Sequence, residues 1–265
     1  MFDIRFYFKP AIPVTYETIK TKVEKINLNE ALSDADKNKI ESMWLKLKKE
    51  RGDEVYSKPN DIGNLHDTQK NTFTYRLTDF KTGVAAIESY PSNSLSSKFY
   101  ESIRTSGVGC TLILNDGSIV AQKRSSKVTH CKNLIDSSVA GYVHISEKGE
   151  INFKESLIKR FKEELNNDEN QIKKISLSAV HTSRPEFSGT FDFVAETTVG
   201  KEHILSNMNK RLISELFFVQ RSELSNFILE NYAIQSKMLG EGCAAFLSIL
   251  EQKEFLKTIA KLEKA

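Results

Sequence analysis

The sequence predicts an α+β fold in which a mixed sheet carries helices packed against it. Three observations point there. Two short apolar runs, Val108–Leu114 and Ile119–Arg124, flank Asn115-Asp116-Gly117, a strong hairpin turn. Residues Phe153–Asn166 repeat their apolar positions at helical spacing. Strands and helices interleave irregularly with several hairpins, rather than in the strict strand–helix–strand order of a doubly wound parallel sheet.

From the N-terminus, Phe2–Val14 reads as a strand broken at Pro10 and Pro13, and Tyr16–Ile26 as helical. Leu32–Arg51 reads as an amphipathic helix. Ser33 or Asp34 would cap it, with Ile40, Met43, Trp44 and Leu47 on one face and Gly52-Asp53 ending it. Ser57–Thr72 is polar and reads as a loop, and Asn71–Phe80 alternates as a strand. Ser89–Ser97, rich in Ser, Pro and Asn, reads as a connector, which places a boundary between a lobe of residues 1–97 and a second domain of residues 98–265. Beyond the hairpin, Asp136–Val143 is a strand candidate. Ile175–His181 and Phe191–Val199 are strands around a Pro185-Glu186 turn, and Phe217–Val219 is a short strand. Ser222–Leu229, Gly240–Glu251 and Glu254–Lys264 read as helices.

Composition narrows the function classes. The chain has 265 residues, with Lys+Arg 38 against Asp+Glu 35 and a net charge of +3. That balance argues against a dedicated nucleic-acid binder, which is usually more basic. The longest near-apolar stretch, Cys243–Leu250, is far short of the ~20 residues of a membrane helix. The N-terminus lacks the charged and apolar regions of a secretory signal. Cys110, Cys131 and Cys243 show no metal-knuckle or disulfide spacing. The expectation is a cytoplasmic protein with neither nucleic-acid nor membrane partners.

Chemistry concentrates on the helix over 153–166. Asn152 three residues before Glu155 forms a capping pattern, and Leu157, Phe161 and Leu165 form the inward face. Arg160 is three and four residues from Glu163 and Glu164, so it neighbours both. Taken alone, this is a solvated face with two weak ion pairs.

The order of motifs around the helix says more. The hairpin with Asp116-Gly117 is followed by Gln122-Lys123-Arg124-Ser125, a strand ending in Ala140-Gly141, a Gly149-Glu150 loop, and the helix ending Glu163-Glu164-Leu165. This resembles the Nudix hydrolase family, whose helix carries Arg-Glu-hydrophobic-x-Glu-Glu. Phe73–Lys81, Gly107–Gly117 and Lys123-Arg124-Ser125 are similar to its UDP-glucose- and UDP-galactose-cleaving branch, with coverage from about Trp44 to the C-terminus. The resemblance implies a Nudix-like α/β/α sandwich with a mixed curled sheet, preceded by a smaller N-terminal α+β lobe. It also implies a pyrophosphohydrolase acting on a nucleoside diphosphate linked to another moiety, such as a nucleotide sugar or an ADP-ribose-like compound.

On that resemblance Glu163 and Glu164 are the catalytic carboxylates and hold Mg²⁺ or Mn²⁺, helped by Glu150 or Glu186. The substrate would be held by Arg184, Lys123, Arg124, Gly141 and Arg160. The sequence departs from the pattern in three places. Lys159 stands where the family has Arg, Arg160 stands where it has its first metal-binding Glu, and Gly149-Glu150 is one residue too distant. An arginine there removes a carboxylate and adds a cation, and both changes weaken metal binding. A second reading follows, in which the chain binds or senses a nucleotide without hydrolysis, with Arg160 supplying the metal's charge.

Other residues have bland alternatives. Arg184 and Glu186 fit a surface turn as well as a pocket, and Lys123 and Arg124 fit an exposed strand end. His144 could act as a base or donor, although a lone histidine is more often structural, and the same holds for His181. Adjacent His130 and Cys131 would point apart in an extended segment. Phe255, Leu256, Ile259 and Leu262 form a stripe that docks a partner, folds back on the body or makes a homodimer contact.

Overall fold

The computed structural model describes residues 4–10, 14–15, 20–51, 61–69, 72–89, 92, 94–103, 106–128, 131–143, 150–183 and 188–264. The larger of two sheets is built from β1 (Ile4–Phe8), β2 (Val14–Thr15), β6 (Ser106–Ile113), β7 (Ile119–Arg124), β8 (Ile135–Asp136), β9 (Val139–Tyr142), β10 (Ile172–Ser183), β11 (Ser188–Thr197) and β12 (Ile213–Val219). Its main path runs β1-β10-β11-β6-β7-β12, and the β11–β6 pair is parallel. The sheet is therefore mixed, as the sequence predicts. The smaller sheet joins β3 (Lys20–Asn27), β5 (Thr72–Asp79) and β4 (Asp61–Gln69) in the order β3-β5-β4.

The helices are α1 (Asp34–Arg51), α2 (Phe80–Ser89), α3 (Ser97–Ser102), α4 (Phe153–Leu165), α5 (Lys201–Asn207), α6 (Leu224–Ile228), α7 (Gly240–Ser248) and α8 (Gln252–Leu262). The expected cap of α1 is present, since the Asp36 N–H donates to Ser33 Oγ at 3.1 Å. Two expectations fail in the smaller sheet. Lys20–Asn27 is a strand rather than a helix: Lys20, Lys22 and Glu24 alternate with Thr21 and Val23, and it pairs in parallel with β5. Asp61–Gln69 is a strand although its composition is polar, because it pairs antiparallel to β5 at the sheet edge. Helices α2, α3 and α5 form where the sequence pattern marks no helix. The Pro185-Glu186 turn lies outside the described residues.

Alternation along the strands sorts two cores onto the two faces of the large sheet. Val108, Cys110, Leu112, Phe191 and Phe193 face α4 and meet Leu157, Phe161 and Leu165. Phe73 and Tyr75 of β5 join this core, with Phe73 edge-on to Phe191 at 4.8 Å between ring centroids. On the other face Ile119 and Ala121 meet Cys243, Phe246 and Leu247 of α7. Leu262 of α8 is buried there and Phe255 packs against Phe6, so the C-terminal stripe folds back on the body, while Leu256 remains exposed. No helix among the described residues is long and apolar enough to cross a membrane.

One irregularity positions the site. Strands β6 and β7 pair only at Leu112–Val120 and Ile113–Ile119. Beyond that point they part, with β9 taking the free edge of β6 and β8 the free edge of β7. The sheet opens into a cleft with its polar side chains on facing strands.

Candidate functional site

Helix α4 runs along this cleft. Its start is fixed by Asn152, whose Oδ1 accepts from the Glu155 N–H at 3.0 Å, and its end by Asn166 in the left-handed conformation at φ 50°. With Leu157, Phe161 and Leu165 buried, the helix phase is set, and Arg160, Glu163 and Glu164 are carried to the cleft side.

Arg160 lies across the backbone of β9 at Gly141. A Cβ added to Gly141 would stand 2.6 Å from Arg160 Cζ and 2.9 Å from its Cδ, so glycine is what admits the guanidinium. Arg160 Nη1 donates to Glu163 Oε2 at 2.9 Å. Among the described residues its Nε is buried without an acceptor. A buried, unsatisfied charged donor costs on the order of 1–3 kcal/mol or more, and so invites an acceptor from outside the chain.

Glu164 is 6% exposed and accepts from Gln122 Nε2 at 2.9 Å. Burial raises its pKa to about 7, against the opposing pull of Arg160, Gln122 and Arg124. Gln122 pairs in register with Asp136 of β8. Asp136 is 1% exposed. Its Oδ1 accepts from the Ser137 N–H at 2.8 Å and its Oδ2 stands 3.4 Å from Arg124 Nη1. Burial lifts Asp136 to about 6 despite Arg124, and Glu241 pushes in the same direction as burial.

The first turn of α7 closes this network from the far face. The Leu239 N–H donates to the Ile135 carbonyl at 2.8 Å, and a Cβ on Gly242 would stand 2.8 Å from Asp136 Cα. Only glycine permits that approach, and it brings neighbouring Glu241 within electrostatic range of Asp136. Glu241 Oε1 also accepts from Thr190 Oγ1 at 3.1 Å. Deeper lies His181, fully buried, whose Nε2 is 2.9 Å from Asp192 Oδ2 in an ion pair that lacks hydrogen-bond alignment. Burial works against the charged imidazole, but Asp192 keeps the His181 pKa above the usual histidine value. Asp192 is itself raised by burial.

The structure therefore brings together Arg160, Glu163, Glu164, Gly141 and Arg124 of the expected residues. It turns Lys123 away: successive strand residues alternate faces, and Lys123 joins Glu215 at 3.5 Å on the α7 side, while Gln122 and Arg124 face α4. Glu150 is exposed at the edge of the described residues, and Arg184, Glu186 and His144 lie outside them. Gln122, Asp136 and Glu241 were not foreseen. The alternation of Gln122 with Arg124 in β7 was a signal for the first, and nothing local marks the other two.

A divalent cation requires several oxygens converging on one point. Glu163 is engaged by Arg160 and Glu164 by Gln122, and among the described residues no three Asp, Glu, His or Cys side chains form a metal-holding group. Of the expected Mg²⁺ or Mn²⁺ set, Glu163 and Glu164 lie on one side of α4, Glu150 is at the edge of the described residues and Glu186 is outside them.

No protein-family profile matches the chain, and no curated protein sequence matches it. Among solved structures the chain is similar to DR0079 from Deinococcus radiodurans, at 19% identity and a TM-score of 0.39, over 54% of this chain and 79% of that one. It is also similar to RenU, a Nudix hydrolase from M. smegmatis, at 12% identity and a TM-score of 0.36, over 59% of this chain and 88% of that one. Neither likeness bears on the chemistry of the cleft.

Proposed function

We propose that the protein is Nudix-type and binds a nucleoside diphosphate joined to a second moiety, a nucleotide sugar or an ADP-ribose-like compound. On this reading it grips the diphosphate with arginine in place of a carboxylate-held metal. The carrying observation is Arg160, laid over Gly141 with Nε buried and, among the described residues, unsatisfied, at the point where the resembling family places a metal-binding glutamate. A guanidinium offers directional, charge-assisted donors to phosphate oxygens. Arg124, one-fifth exposed in the same cleft, supplies a second guanidinium.

Calorimetry with UDP-glucose and ADP-ribose, each with EDTA and with Mg²⁺, tests the reading. Binding of either compound that persists in EDTA is expected. Binding that appears only with the metal refutes it.

One observation favours the alternative of a pyrophosphohydrolase. Glu164, with its pKa near 7, is suited to take a proton from water at neutral pH. Chromatography of the same mixtures decides: release of UMP or AMP establishes hydrolysis, and intact diphosphates leave the binding reading.

A further inference from the structure

Within the cleft, charge is out of balance. Two guanidiniums, Arg124 and Arg160, are set among four carboxylates: Asp136, Glu163, Glu164 and Glu241. Fully ionised, the group is net negative before any ligand arrives. A diphosphate adds about two more negative charges beside the buried carboxylates Asp136 and Glu164, which would oppose its own binding. Either a cation enters with the ligand or a carboxylate gives up its charge.

Asp136 is the carboxylate placed to do so. Its Oδ2 has Arg124 Nη1 at 3.4 Å, a long contact that a phosphate oxygen can displace, while Oδ1 stays on the Ser137 N–H at 2.8 Å. The groups acting on it come from every surrounding element: Arg124 from β7, Glu164 from α4, Glu241 from α7 and Asp192 from β11. Three of those four are acidic, so releasing Arg124 leaves a buried carboxylate among like charges.

Resting on the diphosphate reading above, we propose that Asp136 is exchanged for ligand phosphate at Arg124 and takes up a proton in the complex. The bond lost is the Arg124–Asp136 ion pair and the bond gained is Arg124 to phosphate. The proton comes from solvent and sits on Asp136 Oδ2. Asp136 acts as a positioning residue that holds Arg124 ready for the ligand. Burial already biases it toward the protonated form.

The test is calorimetry of the full chain with UDP-glucose and ADP-ribose in EDTA, in buffers of different ionisation enthalpy. Wild type should take up close to one proton per ligand near pH 7.5, with affinity falling about tenfold per pH unit above that. In D136N the uptake should fall by the Asp136 share, leaving only what Glu164 takes up, and the pH profile should become shallower, while affinity at pH 8 holds or improves. E241Q removes a like charge from beside Asp136, so it should shift the pH midpoint downward and serves if D136N does not fold. Binding without proton uptake, or uptake unchanged in D136N, overturns the inference and leaves the binding reading standing. No binding under any condition overturns both.

Discussion

Replacing Gly141 with alanine separates the role of Arg160 from everything else in the cleft. Gly141 is in extended pairing with Val108 of β6, and among the described glycines only Gly117 has a positive φ. Alanine therefore suits the backbone. Its Cβ would stand 2.6 Å from Arg160 Cζ and 2.9 Å from Cδ, well inside van der Waals contact, so one of the two groups must leave. The guanidinium is the far end of a flexible chain and moves first. G141A thus displaces Arg160 without removing its charge from the protein. Hydrogen bonds to charged groups contribute roughly 1.5–3 kcal/mol each, so loss of one such contact should weaken nucleotide binding by about 10- to 150-fold at 25 °C. Calorimetry in EDTA reads the affinity, and circular dichroism checks the fold. R160A should lose a similar amount, and the double variant little more than either, because both remove one interaction. Wild-type affinity in a folded G141A would refute the placement of Arg160 at the ligand.

The remaining expectations concern stability. Asp136 and Glu164 have folded-state pKa values of about 6 and about 7, above their unfolded values, so their ionisation destabilises the fold. His181 is raised too, and its contribution is present at low pH and lost as pH rises. All three have the same sign: the melting temperature should climb by several degrees from pH 8 to pH 5.5 in calorimetric scans, and a fall would refute the assignment. Phe161 is fully buried in the α4 core, and F161A should cost about 3–5 kcal/mol in denaturant titration. Asn167 is also fully buried, and among the described residues neither of its side-chain amide atoms is bonded, so N167L should be neutral or stabilising by roughly 1 kcal/mol. Marked destabilisation would mean the amide has a partner, such as ordered water.

How much of this was legible beforehand depended on the range of the interaction. The phase of α4, its Asn152 cap and the neighbourhood of Arg160 with Glu163 are set within a few residues, and the sequence displays them. The hairpin at Asn115–Gly117 is local in the same sense. Lys20–Asn27 was misjudged because its partner, Thr72–Leu77, lies some fifty residues on, and parallel pairing leaves no local mark. Asp136 and Glu241 were invisible for a similar reason. They meet only because β8 lies beside β7 and the start of α7 rests on Asp136, which takes Gly242 in one place and Ile135 in another. Lys123 parts from Gln122 and Arg124 because strand alternation divides the motif between two faces.

On the proposed reading, the substitution at Arg160 is more than the loss of a ligand. One divalent cation carries two positive charges at a point, polarises bound water and accepts oxygens from many directions. Arg124 and Arg160 together carry the same charge, but they spread it over two planar groups on different elements, each with fixed donor directions. Such a pair can match the separated oxygens of a diphosphate and neutralise them. It has no open coordination position at which to ionise a water, and guanidinium does not titrate in the physiological range. The proton traffic that a metal-bound water would supply must come from a carboxylate, and the two raised carboxylates, Asp136 and Glu164, are the ones the cleft keeps near neutrality. A site of this composition favours holding a diphosphate over cleaving it, and makes the grip depend on pH where a metal site would depend on the cation.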